Sequence, residues 1–145
     1  MARITVATVL DAPPDDVWAD LEDIASHVEW MADATAIRFL SSQSSGTGTR
    51  FECDTKIGPI TLTDVMEITD WLPGQVMGVR HAGIVIGTGR FTLEHQGGAH
   101  TRFEWTEELE FPWWLGGPAG AWLGRPVLGW VWRRNLDRLA ARFAT

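Results

Sequence analysis

Residues 3–10, "RITVATVL", alternate apolar and polar side chains and are rich in β-branched residues, a period of 2 that predicts a strand. The period then changes. In "DAPPDDVWADLEDIASH", Val17, Trp18, Leu21 and Ile24 supply an apolar stripe at helical spacing. Pro13 and Pro14 suit the helix entry, and Asp15 and Asp16 suit its positive end. A second short helical turn is expected to reach Trp30. From residue 35 the period returns to 2, punctuated by "SSQSSGTG", "IGP", "WLPG", "AG" and "QGG". These turn signals predict strands at 36–42, 49–57, 60–70, 75–82, 86–95 and 99–111. Connections this short fit an antiparallel meander. After Gly117 the pattern is helical again: Leu128, Trp132, Leu136, Leu139 and Phe143 share one face, and Arg133, Arg134 and Asp137 face away. Pro126 is expected to kink this helix or to mark its effective start. The order is strand, two short helices, six strands, long helix, and the last helix is left to cover the apolar face of the sheet.

Alternation also predicts what that face presents. In the last strand Phe103, Trp105, Glu107, Leu109 and Phe111 share the inward side, so Glu107 is the one acid on it. Phe91 and Leu93 are the inward pair of the preceding strand. A three-residue loop across "QGG" would set Phe91 opposite Phe103, Gly89 opposite Trp105 and Gly87 opposite Glu107. In residues 60–70 the inward set is Ile60, Leu62, Asp64, Met66 and Ile68, and a four-residue "WLPG" loop sets Asp64 opposite His81. Matching His81 to Gly87 then completes one row: Asp64, His81, Gly87, Glu107. Three ionisable groups on an apolar surface would orient the polar head of a ligand, or exchange protons with shifted pKa values. They would equally serve as satisfied polar groups of a core. The expected ligand contacts are Asp64, Met66, Met77, Val79, His81, Phe91, Leu93, Phe103, Trp105, Glu107, Leu128 and Trp132.

The 145 residues suit one domain, residues 1–145, with a core of ordinary apolar content at 45%. The N-terminus has no apolar run with a cleavage site, so a cytoplasmic protein is the default expectation. A net charge of −7 disfavours nucleic acid as a partner. That charge is unevenly placed: residues 1–111 carry 7 basic and 18 acidic side chains, and residues 112–145 carry 5 and 1. The basic end reads either as a solvated helix face or as a dock for an anionic headgroup or acidic partner. Cys53 shares an inward face with Phe51 and Ile57 and reads as a small core residue. His27, His95 and His100 read as surface groups, and no metal-ligand spacing links the four histidines. "GTG" at 87–89 lies within a strand pattern and is no dinucleotide fingerprint. No metal and no cofactor are expected, and the oligomeric state is not legible.

The stretches "LDAPPDDVWADLEDIASHVEWM", "ITDWLPGQ" and "GTGRFTLEHQGGAHTRFEW", with the proline-containing closing helix, resemble the SRPBCC or START-like superfamily. Within it, the polyketide cyclase/dehydrase and lipid-transfer-like branch is the most similar, and the resemblance runs over essentially the whole chain. It implies an α+β helix-grip fold: a curved seven-stranded antiparallel sheet wrapped around the C-terminal helix, with a cavity between them. It also implies hydrophobic ligands such as lipids, quinones or polyketides, with catalysis in only some members. No residue here matches a catalytic motif of those enzymes.

"FPWWLGGPAGAWLG", residues 111–124, joins the last strand to the closing helix. Extended to Trp132 it is long enough to span a membrane, but Pro112, Pro118, Pro126, five glycines and Arg125 rule it out as a span. Trp113, Trp114 and Trp122 then either plug the end of a core or form an apolar portal, with transient membrane contact through residues 111–134. Three functions follow. The first is a carrier or sensor of a hydrophobic small molecule. The second is a cyclase or dehydratase using Asp64, His81 and Glu107. The third is a Trp-rich interaction module with its cavity collapsed.

Overall fold

The computed structural model describes residues 2–144. Seven strands form one antiparallel sheet: β1 Ala2–Leu10, β2 Ala34–Phe39, β3 Arg50–Ile57, β4 Ile60–Leu72, β5 Val76–Ala82, β6 Ile86–His95 and β7 Thr101–Glu110. The order across it is β1-β7-β6-β5-β4-β3-β2, a meander from β2 to β7 with β1 added to its last strand. Helix α1, Pro14–Leu21, and a 3-10 helix, Ile24–Glu29, lie between β1 and β2. A 3-10 turn at Trp113–Leu115 leads into helix α2, Gly117–Ala141. This is the helix-grip arrangement, and the reason is patterning. Alternate residues of β7, Thr101, Phe103, Trp105, Glu107 and Leu109, are buried, so one sheet face is apolar and has to be covered.

The helical stripe of residues 11–27 is broken. α1 stops at Leu21, and the chain restarts as a 3-10 helix at Ile24. The break turns His27 inward beside Ile24, where its Nε2–H donates to the Leu21 carbonyl at 2.8 Å. That carbonyl belongs to the last turn of α1 and has no partner within the helix. His27 is therefore buried rather than a surface group.

Two strand registers differ from the expected ones. The β6–β7 connection uses five residues, Gln96–His100, and closes with Gln96 N–H donating to the His100 carbonyl at 3.0 Å. Phe91 thus pairs with Trp105, and Gly89 with Glu107. Between β4 and β5 the strands extend to Leu72 and Val76, and a bulge between Ile68 and Asp70 takes up one residue. His81 consequently pairs with Met66 instead of Asp64. His81 opposite Gly87 is as expected, across a Gly83–Val85 turn. Both slips are of two residues, and side chains alternate with period 2, so every inward residue stays inward.

The core centres on Trp30, which is 1% exposed. Its ring lies 5.9 Å from Phe91, 6.4 Å from Phe103 and 6.0 Å from Trp105. Helix α2 packs chiefly along β1 and reaches β7 where Trp132 stacks on Trp105 at 4.8 Å. Its C-terminal half is tied down by polar contacts. Asn135 Nδ2–H donates to Asp33 at 2.6 Å and its Oδ1 accepts from Ala32 N–H at 3.0 Å, while Trp132 Nε1–H donates to Asp33 at 3.2 Å. Arg142 holds Asp20 at 2.6 and 2.9 Å and Glu29 at 3.2 Å. Pro126 lies inside the continuous helix rather than at its start, and it cannot return a hydrogen bond to the Trp122 carbonyl. The half before Pro126 overhangs the concave face of the sheet.

Asn135 is fully buried and joins α2 to the segment before β2. Asn135→Ala leaves Asp33 and Ala32 N–H short of partners, and urea unfolding should report a loss of about 1–3 kcal/mol. Arg102→Ala, which removes a half-exposed pair with Glu104, should cost less than about 0.5 kcal/mol.

Candidate ligand cavity

Between the overhanging half of α2 and the strands β2 to β7 lies a partly open cavity of about 380 Å³. The rest of the sheet's apolar face is filled by the Trp30 cluster and by α2, so the void sits where neither reaches. Its walls are mostly aliphatic and aromatic. Ten of the twelve expected contacts line it, from Asp64 and Met66 on β4 to Leu128 and Trp132 on α2. Leu93 and Phe103 do not. They lie two strand residues beyond Phe91 and before Trp105, pair with each other where Trp30 covers Phe103, and are core rather than cavity wall. His27, Met31 and Asp33 also line the cavity and were missed. For His27 a signal existed: it stands three residues from both Ile24 and Trp30, on their face of the helical turn.

The three inward ionisable groups meet. His81 Nδ1 lies 2.9 Å from Asp64 Oδ2, and His81 Nε2 lies 2.7 Å from Glu107 Oε2. Trp105 Nε1–H donates to Glu107 Oε1 at 3.0 Å. All three ionisable residues are at least nine-tenths buried. The contact runs diagonally across the sheet: Asp64 lies two residues along β4 from the partner of His81, and Glu107 pairs with Gly89. Gly89 makes the space, because a Cβ there would lie 2.5 Å from the Glu107 carboxylate.

A profile of the family described as polyketide cyclase / dehydrase and lipid transport matches residues 1–145. The chain belongs to that family. Comparison with curated proteins finds no match. Among solved structures, a START superfamily protein from Mycobacterium smegmatis superposes with a TM-score of 0.80 at 11% identity, covering 97% of this chain and 96% of that one. The ZhuI aromatase/cyclase from Streptomyces sp. R1128 does so with a TM-score of 0.74 at 18% identity, covering 97% and 92%. A Thermobifida fusca protein reaches 0.76 at 18%, covering 99% and 93%. At these identities the likeness is one of fold. Membership of the polyketide cyclase / dehydrase and lipid transport family points to ligand binding or cyclase activity.

Within this family member, charge settles what His81 can do. Burial by itself pushes its imidazole toward the neutral form. The charge of Glu107 and the hydrogen bonds that His81 donates to both carboxylates outweigh burial and raise its pKa to about 10. His81 is an imidazolium at neutral pH with both N–H groups engaged. His27 goes the other way, its pKa lowered by burial, and stays neutral. Burial also pushes the Cys53 thiol up to about 11, which leaves it a weakly polar wall residue rather than a nucleophile.

Trp113, Trp114 and Trp122 plug nothing. Trp113 is 87% exposed, Trp122 65% and Trp114 53%. Leu115, Gly120, Gly124 and Val127 of the same segment line the cavity, so this stretch is its outer wall. The cavity is not collapsed, contrary to the third function considered above.

By NMR, His81 should remain protonated through neutrality and titrate near 10, facing Asp64 and Glu107. Its folded pKa exceeds the ordinary 6.5, so its stabilising contribution is complete below 6.5 and is lost as pH rises to about 10. Unfolding free energy should fall over that window, and His81→Gln should flatten the fall. Gly89→Ala should destabilise by about 1–3 kcal/mol and abolish the high His81 pKa, because its Cβ displaces the Glu107 carboxylate.

Proposed function

We propose that the cavity binds an apolar small molecule without covalent chemistry, its one polar end resting against the Asp64–His81–Glu107 cluster. The observation that carries this reading is a void of about 380 Å³ with its ionisable groups gathered at one place. Packed protein interiors hold few voids larger than a water, and drug-sized ligands occupy about 300–1,000 Å³. Family membership and the aromatase/cyclase and START likenesses agree with a ligand cavity.

The same cluster favours binding over cyclase or dehydratase chemistry. An imidazolium held at a pKa of about 10 is no base at neutral pH, and neither of its protons is free to be aimed at a substrate. The cluster also selects a head group. Its donors, both N–H groups of His81 and the indole N–H of Trp105, are engaged internally, which leaves only acceptor lone pairs on the carboxylates. Two carboxyl groups flanking one imidazole ring make the cluster rich in acceptors within an apolar wall. A ligand with a hydroxyl, phenol or ammonium head fits this site, and a carboxylate head is repelled.

Displacement of the neutral fluorophore N-phenyl-1-naphthylamine by decanol, decylamine and decanoate tests the reading. The alcohol and the ammonium should displace it, with decanoate at least about tenfold weaker. Decanoate binding as tightly as decanol would overturn the head-group assignment. Failure of the fluorophore and all three competitors to bind would overturn the cavity reading itself.

A further inference from the structure

The outer side of the cavity wall is a second surface with its own chemistry. Among the described residues, all four exposed tryptophans, Trp113, Trp114, Trp122 and Trp130, lie within one stretch of 18 residues, with Leu123 at 70% and Val127 at 53% exposure. On α2, Leu123, Val127, Trp130 and Arg134 stand one helical turn apart in a single strip, with Trp122, Pro126 and Arg133 beside it. The Arg134 guanidinium lies 5.0 Å over the Trp130 ring. Arg125 borders a shallow depression that it shares with Trp122, Leu123 and Pro126. No carboxylate occurs between Glu110 and Asp137.

We propose that this face docks on the surface of an anionic phospholipid bilayer, with the tryptophans at headgroup depth and Arg125, Arg133 and Arg134 on the lipid phosphates. Indole rings favour that depth, being apolar bodies with one polar edge, and helices with an aromatic face bordered by arginine lie in the interface plane. Among the described residues no helix is long and apolar enough to cross a membrane, so the contact is peripheral. Charge picks the occupant and the orientation. Residues 1–111 carry 18 acidic and 7 basic side chains, and residues 112–145 carry 1 and 5, so an anionic surface attracts this end and repels the remainder. A two-fold pairing of two copies through the same face would set arginines against arginines.

Docking stands on the exposed face alone and does not require the cavity to be occupied. If the cavity holds an apolar ligand, as proposed above, one consequence follows. Val127 borders the cavity and is also part of the exposed strip, so a single helix separates bilayer from cavity. A ligand could then exchange between the two with little exposure to water.

The test is cosedimentation of the full chain with vesicles of phosphatidylcholine alone and of phosphatidylcholine mixed with phosphatidylglycerol, at low and high salt. Binding is expected to the mixed vesicles only, to weaken with salt, and to quench tryptophan emission when the lipids are brominated. Trp122→Ser with Trp130→Ser, and separately Arg133→Glu with Arg134→Glu, should each weaken binding at least about tenfold. None of these four residues lines the cavity, so circular dichroism, Tm and N-phenyl-1-naphthylamine binding should be unchanged. Equal binding to both vesicle types, or variants that bind like the parent chain, would overturn the proposal. So would absence of vesicle binding, and light scattering of the lipid-free chain then tells what covers the face. A dimer dispersed by the tryptophan substitutions assigns it to a second copy, and a monomer leaves an acidic protein as the occupant.

Discussion

Asp33 holds the structure in its open-jawed form. Its carboxylate accepts from Trp132 and Asn135, so the C-terminal half of α2 is fixed to the segment leading into β2. Ala32 N–H returns a bond to the same asparagine, and Arg142 repeats the joint two turns on through Asp20 and Glu29. All these ties lie on one side of Pro126. One helix cannot cover seven strands, and a helix held only by its far end leaves the sheet beneath its near end bare. The cavity follows from that imbalance. In most domains an apolar face left bare would be filled by another element.

A charged cluster inside this apolar wall would be costly if any member stood alone. It is tolerated because each group is a partner to the next. Trp105 N–H meets one oxygen of Glu107, His81 meets the other, and Asp64 closes the far side of the imidazolium. Removal of one partner strands the others, which makes the cluster a rigid unit. Gly89 on β6 and Gly83 in the turn between β5 and β6 provide the room it needs, since a Cβ at either would lie within 3 Å of the Glu107 or the Asp64 carboxylate, so these two glycines belong to the site as much as its charges do.

The two halves of α2 face different surroundings. The C-terminal half is amphipathic in the ordinary sense, with Leu128, Trp132, Leu136 and Leu139 inward and arginines outward. The N-terminal half is apolar on both sides, one lining the cavity and one meeting solvent. A soluble helix gains nothing from an apolar outer face, and the same stretch is where acidic residues are missing from an otherwise acidic chain.

Local periodicity was enough to place all seven strands, the closing helix and the inward parity of Asp64, His81 and Glu107, since each depends only on spacing of 2 or 3.6 residues along the chain. It also made Cys53 a small inward residue of the core, which the structure places in the cavity wall. The β5–β6 pairing of His81 with Gly87 was legible, but the β4–β5 and β6–β7 partners were not, because the β-bulge near Asp70 and the five-residue Gln96–His100 turn shift registers by amounts that hydrophobic alternation does not see. The cluster survived those shifts only because they were even. His27 was misplaced outside because the break between α1 and the 3-10 helix, and the Leu21 carbonyl it leaves open, arise from packing rather than from residue preference. Leu93 and Phe103 share parity with the cavity wall yet lie in the core, since Trp30 arrives over Phe103 from another part of the chain and Leu93 is its strand partner. Which sheet face each strand residue takes is a local property and the sequence alone determined it. Which apolar residues are packed and which border an empty space depends on where α2 and Trp30 come to rest, and that was decided only by the tertiary structure.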